Sequence, residues 1–155
     1  MTSAEPTPSR PSDSADGALY DAVATEHATI YGYGLVSAHS TAEVNWLVSA
    51  SIAEHRERRE AAIALLEQRQ VAPPLPAAGY RVPMPVENPQ QAAKLAVRME
   101  ADGAAAWRAV VEQATATEYR TFGLTALTQS AVAAARWTQI VGTDPVTVAF
   151  PGGNE

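Results

Sequence analysis

The stretch "VAPPLPAAGYRVPMPVEN", residues 71 to 88, decides the fold of this chain. It is a proline-rich connector, and it separates two long blocks, residues 12 to 72 and 90 to 144, that contain no proline. Because proline breaks helix interiors, the two blocks are predicted to be helical. The first block is too long for a single helix in a chain of 155 residues, so each block is predicted to fold into a helical hairpin.

Capping signals place the helix boundaries. Ser40 with Glu43, and Thr115 with Glu118, have the spacing of a capping box, and Asn88 before Pro89 is a strong helix start. The predicted helices span about 16 to 38, 41 to 70, 89 to 115 and 118 to 141.

The connector also predicts the topology. In polyproline II form its 18 residues reach ~55 Å, whereas a helix of about 30 residues is ~45 Å long. The connector can therefore return along the whole bundle, which makes helices 2 and 3 parallel. We predict an all-α, ferritin-like four-helix bundle of two hairpins joined by a long proline-rich crossover. Its parts are a disordered tail (1 to 15), the bundle (16 to 143) and a C-terminal extension (144 to 155).

Composition narrows the function classes. A net charge of -6 and a pI near 5.0 argue against nucleic-acid and anionic-membrane partners, which require a basic surface. The absence of cysteine excludes disulfides, thiolate metal sites and thiol nucleophiles. The sequence has no signal-peptide pattern and no run of 18 apolar residues, so we expect a cytoplasmic protein.

Polar residues interrupt the apolar stripe of each predicted helix. Glu26, Glu54 and Glu100 occupy the stripes of helices 1, 2 and 3, and Arg58 shares the stripe of helix 2. Glu26 and Glu54 each lie fourteen residues from position 40, at the same level of an antiparallel hairpin. We therefore predict a buried polar layer at mid-bundle. Its predicted members are Glu26, Glu54, Arg58, Glu100, Gln129 and Arg136.

The segments "TEHATIYGYG", "AEHRERREA", "AAGYRVPMPVENPQQAAKLAVRMEADGAAAW" and "DPVTVAFPG" resemble the alanine-rich, ferritin-like actinobacterial family of unknown function, over roughly residues 16 to 151. The resemblance implies a ferritin-like bundle in a bacterial cytoplasm and brings no established activity. Ferritin-like di-iron proteins place lone glutamates on two helices and Glu-x-x-His on the other two. Glu26 and Glu100 match the lone glutamates and Glu54 one motif glutamate, but Glu57 stands where that motif needs histidine. Helix 4 carries no such motif.

Three hypotheses remain. The favoured one is a non-catalytic bundle without cofactor, in which Arg58 and Arg136 replace the metal charge and His27 and His55 lie at the edges of the core. The second is an iron- or manganese-binding oxidase or ferroxidase. It would bind one or two metal ions through Glu26, Glu54, Glu57 and Glu100, with His27 or His55 as a further ligand in an unusual geometry. The third is a small-ligand bundle whose pocket walls are Tyr31, Tyr33, Trp46 and Trp107.

Alanine-rich faces of helices 3 and 4, in "DGAAAWRAVV" and "QSAVAAARW", exceed what one core stripe needs. The ending "DPVTVAFPGGNE" adds Val146, Val148 and Phe150 at alternating positions. These features predict a homodimer through helical faces.

Overall fold

The computed structural model describes residues 7 to 153 and is helical throughout its regular structure, with no strand among these residues. The all-α prediction and the prediction of four long helices are confirmed. The helices are α1 (Ser14–His39), α2 (Asn45–Gln68), α3 (Pro89–Gln113) and α4 (Thr117–Val141), with a short 3-10 helix (Ala42–Val44) before α2.

The first helix begins earlier than the sequence predicted. Asp13 caps α1, because its carboxylate accepts hydrogen bonds from the backbone N–H groups of Ala15 and Asp16. Before the helix, Arg10 forms an ion pair with Asp21 at 2.9 Å. Part of the predicted tail of residues 1 to 15 therefore belongs to α1 or contacts it, and residues 1 to 6 lie outside the described part of the chain.

The predicted capping box between helices 1 and 2 is wrong. The hydroxyl of Ser40 donates to the carbonyl oxygen of Val36 at 2.6 Å, so it satisfies the end of α1 instead. The 3-10 helix takes up residues 42 to 44, and α2 begins at Asn45 without a side-chain cap. These residues were predicted to begin α2, but they form the tighter 3-10 turn, so α2 starts four residues later than predicted.

The start of α3 is confirmed and the cap of α4 is not. The side chain of Asn88 accepts a hydrogen bond from the backbone N–H of Gln91 at 2.9 Å, with Pro89 in the first turn. The residue before α4 is Ala116, which makes no side-chain cap. The predicted capping box of Thr115 and Glu118 is therefore wrong, although the turn lies where the sequence placed it.

Helix α1 packs against α2 and α3, and α3 packs against α4. The buried apolar side chains form two clusters. The first contains Leu19, Val23, Leu66, Trp107 and Val110. The second contains Tyr33, Val36, Leu95, Met99 and Trp137. In α1, α2 and α3 the two clusters are separated along the chain by buried polar and charged residues, so a polar layer divides the core. Its charged and titratable members between the clusters are Glu26, His55, Arg58 and Glu100. No helix in the described part of the chain is long and apolar enough to cross a membrane.

Candidate functional site

The centre of the polar layer is His55, which is 2% exposed. Its Nδ1 lies 2.6 Å from Oε2 of Glu26 on α1, and its Nε2 lies 3.0 Å from Oε1 of Glu100 on α3. The imidazole of α2 therefore bridges two carboxylates from two other helices. Both carboxylate side chains are 1% exposed, so water does not compete for these contacts.

Three side chains bind the carboxylate of Glu26. Its Oε2 binds His55, and its Oε1 accepts hydrogen bonds from Nε1 of Trp107 at 2.7 Å and from Nη1 of Arg58 at 3.2 Å. Both oxygens of this carboxylate thus accept hydrogen bonds within the layer.

Besides His55, the carboxylate of Glu100 is bound by Tyr33, which in turn is bound by Trp137. The hydroxyl of Tyr33 donates to its Oε1 at 2.5 Å, and Nε1 of Trp137 donates to that hydroxyl at 2.9 Å. The other oxygen, Oε2, is buried and has no hydrogen-bond partner among the described residues. Glu100 therefore keeps one free acceptor atom inside the core.

Arg58 links the layer to α4. Its Nε and Nη2 donate to Oε1 of Gln129 at 3.3 and 3.0 Å, and its Nη1 donates to Oγ of Ser130 at 3.2 Å. Its Nη2 also lies 3.5 Å from Oε1 of Glu54. One guanidinium thus connects α1, α2 and α4 through several donors in one plane.

The geometry sets the charges of the layer. Burial lowers the pKa of His55, but hydrogen bonds to Glu100 and Glu26 and the charges of both carboxylates outweigh it and raise that pKa to about 9. His55 is therefore protonated at neutral pH and donates from both nitrogens. Burial raises the pKa of Glu26, but the hydrogen bond and charge of His55, followed by Arg58 and Trp107, hold it below its usual value. Burial and the charge of Glu100 raise the pKa of Tyr33 well above its usual value, so Tyr33 remains a neutral donor.

At neutral pH the buried layer thus contains two cations and two anions. Nη1 of Arg58 lies 3.4 Å from Nδ1 of His55, a repulsive contact between cations. Glu26 offsets it, because one of its oxygens binds each cation. The close packing of opposite charges is what makes a layer of this kind tolerable in a dry interior.

The structure corrects several predicted site residues. His55 lies at the centre of the layer and not at its edge, and it takes the position predicted for Glu54. Glu54 is half-buried beside Arg58, and Glu57 is exposed. Arg136 is exposed on α4 and is outside the layer. The structure brings together Glu26, Arg58, Glu100 and Gln129 of the predicted set.

His27 lies elsewhere in the core. Its Nε2 is 3.1 Å from the carbonyl oxygen of Pro74 in the connector, and its Nδ1 has no hydrogen-bond partner among the described residues. Burial lowers its pKa, so the ring is neutral at pH 7 and Nε2 is the donor. His27 therefore fastens the connector to α1.

Besides His55, four residues of the layer are not predicted from the sequence. Tyr33 and Trp107 are predicted as pocket walls, and Ser130 and Trp137 are not predicted to take part in the site. The signal for the tyrosine and tryptophans is their polar atoms, because a buried Tyr O–H or Trp N–H requires a hydrogen-bond partner.

A metal centre does not fit this donor set. His55 uses both nitrogens on Glu26 and Glu100, both oxygens of Glu26 already accept hydrogen bonds, and Glu57 is exposed on α2. Oε2 of Glu100 is the one buried carboxylate oxygen of the layer that has no hydrogen-bond partner among the described residues. Across residues 7 to 153, no three His, Asp or Glu side chains are grouped in a way that could hold a metal ion. Iron or manganese sites in such bundles require several carboxylate and imidazole ligands.

The predicted ligand pocket is not formed by its four aromatic residues. Tyr33 and Trp107 are fully buried within the core, whereas Trp46 is 62% and Tyr31 46% exposed. A cleft of about 560 Å³ does lie between α2 and α4, beside Arg58 and Gln129. Its walls include Leu65 and Phe122. The aromatic set predicted from the sequence and this cleft are therefore different sites.

Comparison with known proteins gives a family and similarity to a solved structure. Residues 18 to 155 match a family model described as a domain of unknown function, DUF4439. The chain is also similar to the crystal structure of a conserved hypothetical protein, rv2844, from Mycobacterium tuberculosis, with 53% sequence identity and a TM-score of 0.82. The similarity covers 84% of this chain and 98% of that one. A comparison with curated proteins gives no match.

Proposed function

Because the chain belongs to the DUF4439 family of domains of unknown function, we propose a function from its site. The chain acts as a non-catalytic, ferritin-like bundle in which protonated His55 and Arg58 occupy the mid-bundle position that holds metal in di-iron relatives. The observation that carries this proposal is the imidazole of His55, placed between Glu26 and Glu100 with both nitrogens engaged.

Two pairs of contacts support the ferritin-like topology. Along α1 and α2, Asp16 pairs with Arg69 and Glu26 pairs with His55, so the two helices run in opposite directions. Along α1 and α3, Tyr33 meets Glu100 and Glu26 meets Trp107, which is again an antiparallel order. Helices α2 and α3 then share a direction, and the connector from residue 69 to residue 88 must cross the length of the bundle.

The electrostatics support a structural role. In di-iron proteins metal ions neutralise the converging carboxylates, whereas here an imidazolium and a guanidinium supply two positive charges to Glu26 and Glu100. A layer neutralised by its own side chains requires no cofactor to stay folded. Trp107 and Tyr33 complete the hydrogen bonding, so the carboxylates are committed to the fold.

A non-catalytic role in the cytoplasm, without nucleic-acid partners, belongs to the same proposal. It is supported by the charge of -6, which opposes binding to phosphate backbones.

Metal analysis tests the proposal. We would purify the protein without chelator or metal-affinity resin, measure bound iron and manganese, and then record absorbance during aerobic addition of ferrous iron. We expect metal far below one ion per chain and no ferric band from a bound centre.

Two variants locate any metal that does bind. Glu100→Gln removes the free oxygen of the layer, and Glu57→Gln is its control on the exposed face of α2. Stoichiometric iron that is lost in Glu100→Gln and retained in Glu57→Gln would contradict the proposal.

A further inference from the structure

A second cavity lies on the other side of the molecule from the α2–α4 cleft, between α1, α3 and the connector. Its volume is about 430 Å³, within the range of small-molecule sites. Thr25, Thr29 and Tyr31 of α1 line one wall, and Tyr80 and Arg81 of the connector line another. Arg98 closes the side formed by α3. None of these residues belongs to the polar layer.

The connector forms a firm wall for this cavity. The hydroxyl of Tyr80 accepts a hydrogen bond from the backbone N–H of Ala77 at 2.9 Å. The ring of Tyr80 packs on that of Tyr31, with centroids 5.3 Å apart and planes at 54°. Val82 packs on the core cluster below, and Pro83 restricts the backbone beside it. The wall is therefore ordered before any ligand arrives, which lowers the entropic cost of binding.

Hydrogen-bond donors dominate the polar lining. Nε of Arg98 contacts both oxygens of Asp102 at 3.2 Å, which leaves its terminal nitrogens without a partner in the described part of the chain. Arg81 is exposed and makes no ion pair or side-chain hydrogen bond with residues 7 to 153. The hydroxyls of Tyr31 and Thr29 add further donors. The only carboxylate in the lining, that of Asp102, is already bound to Arg98.

The remaining lining is apolar. Leu95 is 1% and Met99 is 8% exposed, and both lie in the wall formed by α3. A Cβ at Gly32 would lie 2.1 Å from Sδ of Met99, so a larger residue there would displace the Met99 side chain from the floor of the cavity. The site thus combines two guanidinium groups with an apolar floor, on a chain whose net charge is -6.

We propose that this cavity binds a small organic anion, in which a carboxylate or phosphate monoester is attached to a compact apolar body. The guanidinium of Arg81 meets the anionic group at the mouth, and that of Arg98 meets it from α3. Arginine suits both head groups, because its planar donors match carboxylate and phosphate oxygens. The apolar body lies against Met99 and Tyr31.

Titration with four probes tests the proposal. Benzoate and phenyl phosphate carry the two head groups on an apolar ring, benzylamine carries the opposite charge on the same ring, and inorganic phosphate lacks the ring. Binding would be followed by isothermal titration calorimetry, and the site mapped by NMR shifts of residues 79 to 83. We expect saturable binding of benzoate, phenyl phosphate or both, and weaker binding of the other two probes. Which ring anion binds more tightly identifies the head group.

Two matched variants test whether the guanidinium of Arg81 binds the anionic group. Arg81→Gln changes an exposed side chain that makes no ion pair or side-chain hydrogen bond in the described part of the chain, and we expect it to weaken anion binding about tenfold, the loss of one charge-assisted hydrogen bond. Arg56→Gln, on the exposed face of α2, should leave the affinity unchanged. Equal affinity of Arg81→Gln and the unaltered protein, equal binding of benzylamine, or no saturable binding of either ring anion would overturn the proposal.

Discussion

His55 shows how one side chain can make a buried charged layer stable. An imidazole that donates from both nitrogens fits between two carboxylates, and its positive charge is distributed to each of them. Glu26 and Glu100 would repel each other in a dry core without it. Because the stabilisation depends on the proton of His55, it depends on pH in a direction that can be stated.

We predict that stability falls as the pH rises through about 9. The pKa of His55 is raised from 6.5 to about 9 in the folded state. Its contribution is therefore fully present below pH 6.5 and is lost as the pH rises through the folded pKa. Between pH 6.5 and about 9, the free energy of unfolding should fall by about 1.4 kcal/mol per pH unit, or about 3 kcal/mol in total. Urea unfolding at a series of pH values measures this slope.

His55→Gln provides the control for the slope. Glutamine keeps a side chain that can hydrogen-bond but does not titrate, so the variant should be less stable and its stability should not change between pH 6.5 and 9. A slope equal to that of the unaltered protein would show that another group causes it.

His27 acts in the opposite sense. Burial lowers its pKa, so its contribution to stability is lost as the pH falls below 6.5.

The second prediction compares two arginines. Arg58→Ala leaves Glu26 without one of its cations and should destabilise the protein by about 3 to 5 kcal/mol. Arg136→Ala changes an exposed side chain outside the layer, and the stability should change by less than about 0.5 kcal/mol. Thermal unfolding followed by circular dichroism distinguishes the two. Similar losses from both substitutions would contradict the placement of the layer.

Several of the site's residues could be predicted from the sequence, and the reason is their depth along the helices. Glu26 and Glu100 interrupt otherwise apolar stripes. Counting residues from the hairpin turn also identifies the part of α2 that lies at the same depth as Glu26. The count gives the level along the helix axis but not the direction around it. His55 and Glu54 differ by one residue, or about 100° around the helix, and this rotation decides which of them enters the core.

At the scale of the elements, α2 explains that error. Its buried positions Val48, Ser51, His55, Arg58 and Ala62 recur at spacings of three and four residues. The alternative set of Leu47, Ala50, Glu54, Ala61 and Leu65 has the same kind of spacing, and its end residues Leu47 and Leu65 are buried as well. Since both faces contain alanine and few large apolar residues, the pattern of α2 does not select one. Tertiary contacts with α1 and α3 decide which face of α2 is buried.

Helix caps show a similar contrast. The start of α3 could be predicted because Asn88, Pro89 and Gln91 act locally within one turn. The pairs Ser40 with Glu43 and Thr115 with Glu118 have the correct spacing but do not cap. The 3-10 turn before α2 and the Ala116 start of α4 depend on how neighbouring helices meet, which a four-residue motif does not contain.

The third prediction follows from these caps. Asn88→Ala removes the acceptor of the Gln91 N–H and should cost about 1 kcal/mol of stability. Thr115→Ala is the matched control, because Thr115 is exposed and the capping box it was expected to form is absent. It should change stability by less than about 0.5 kcal/mol. Chemical unfolding of the two variants measures both values, and a larger loss for Thr115→Ala than for Asn88→Ala would contradict the cap assignment.

For the whole molecule, the C-terminal segment from residue 144 to 153 is mostly exposed. Gly152 has a φ of 76°, and a Cβ there would lie 2.6 Å from the carbonyl oxygen of Ala104. Glycine therefore allows this segment to lie directly on α3. Phe150 and Val148 remain 67% and 63% exposed. On α4, Leu124 is 55% exposed and lines the same cavity as Val148.

We propose that a second copy of the chain covers this apolar surface, as the fourth prediction. Exposed apolar side chains grouped in one place favour association. Light scattering at micromolar concentration should give about twice the mass of 16.4 kDa. Deletion of residues 144 to 155 should shift the mass toward that of the monomer. A monomer before and after the deletion would contradict this prediction.

The general architecture could be predicted because it depends on features that act over long stretches. Two blocks without proline, separated by a proline-rich connector, leave few arrangements for a chain of this length. Which cavities open between the helices could not be predicted, because they depend on side-chain packing across α1, α3 and the connector. Tyr31 and Tyr80 are 49 positions apart, and only the fold brings their rings together.

The measurement that tests the account most directly is the protonation state of His55. Side-chain ¹⁵N chemical shifts of histidine-labelled protein, assigned with the His55→Gln variant, report each ring nitrogen separately. We expect both nitrogens of His55 to carry protons at pH 7 and to titrate near pH 9, unchanged by ferrous or manganous ions. A neutral His55 at pH 7 with one bare nitrogen, or a resonance that shifts or broadens on addition of one equivalent of metal, would contradict the account.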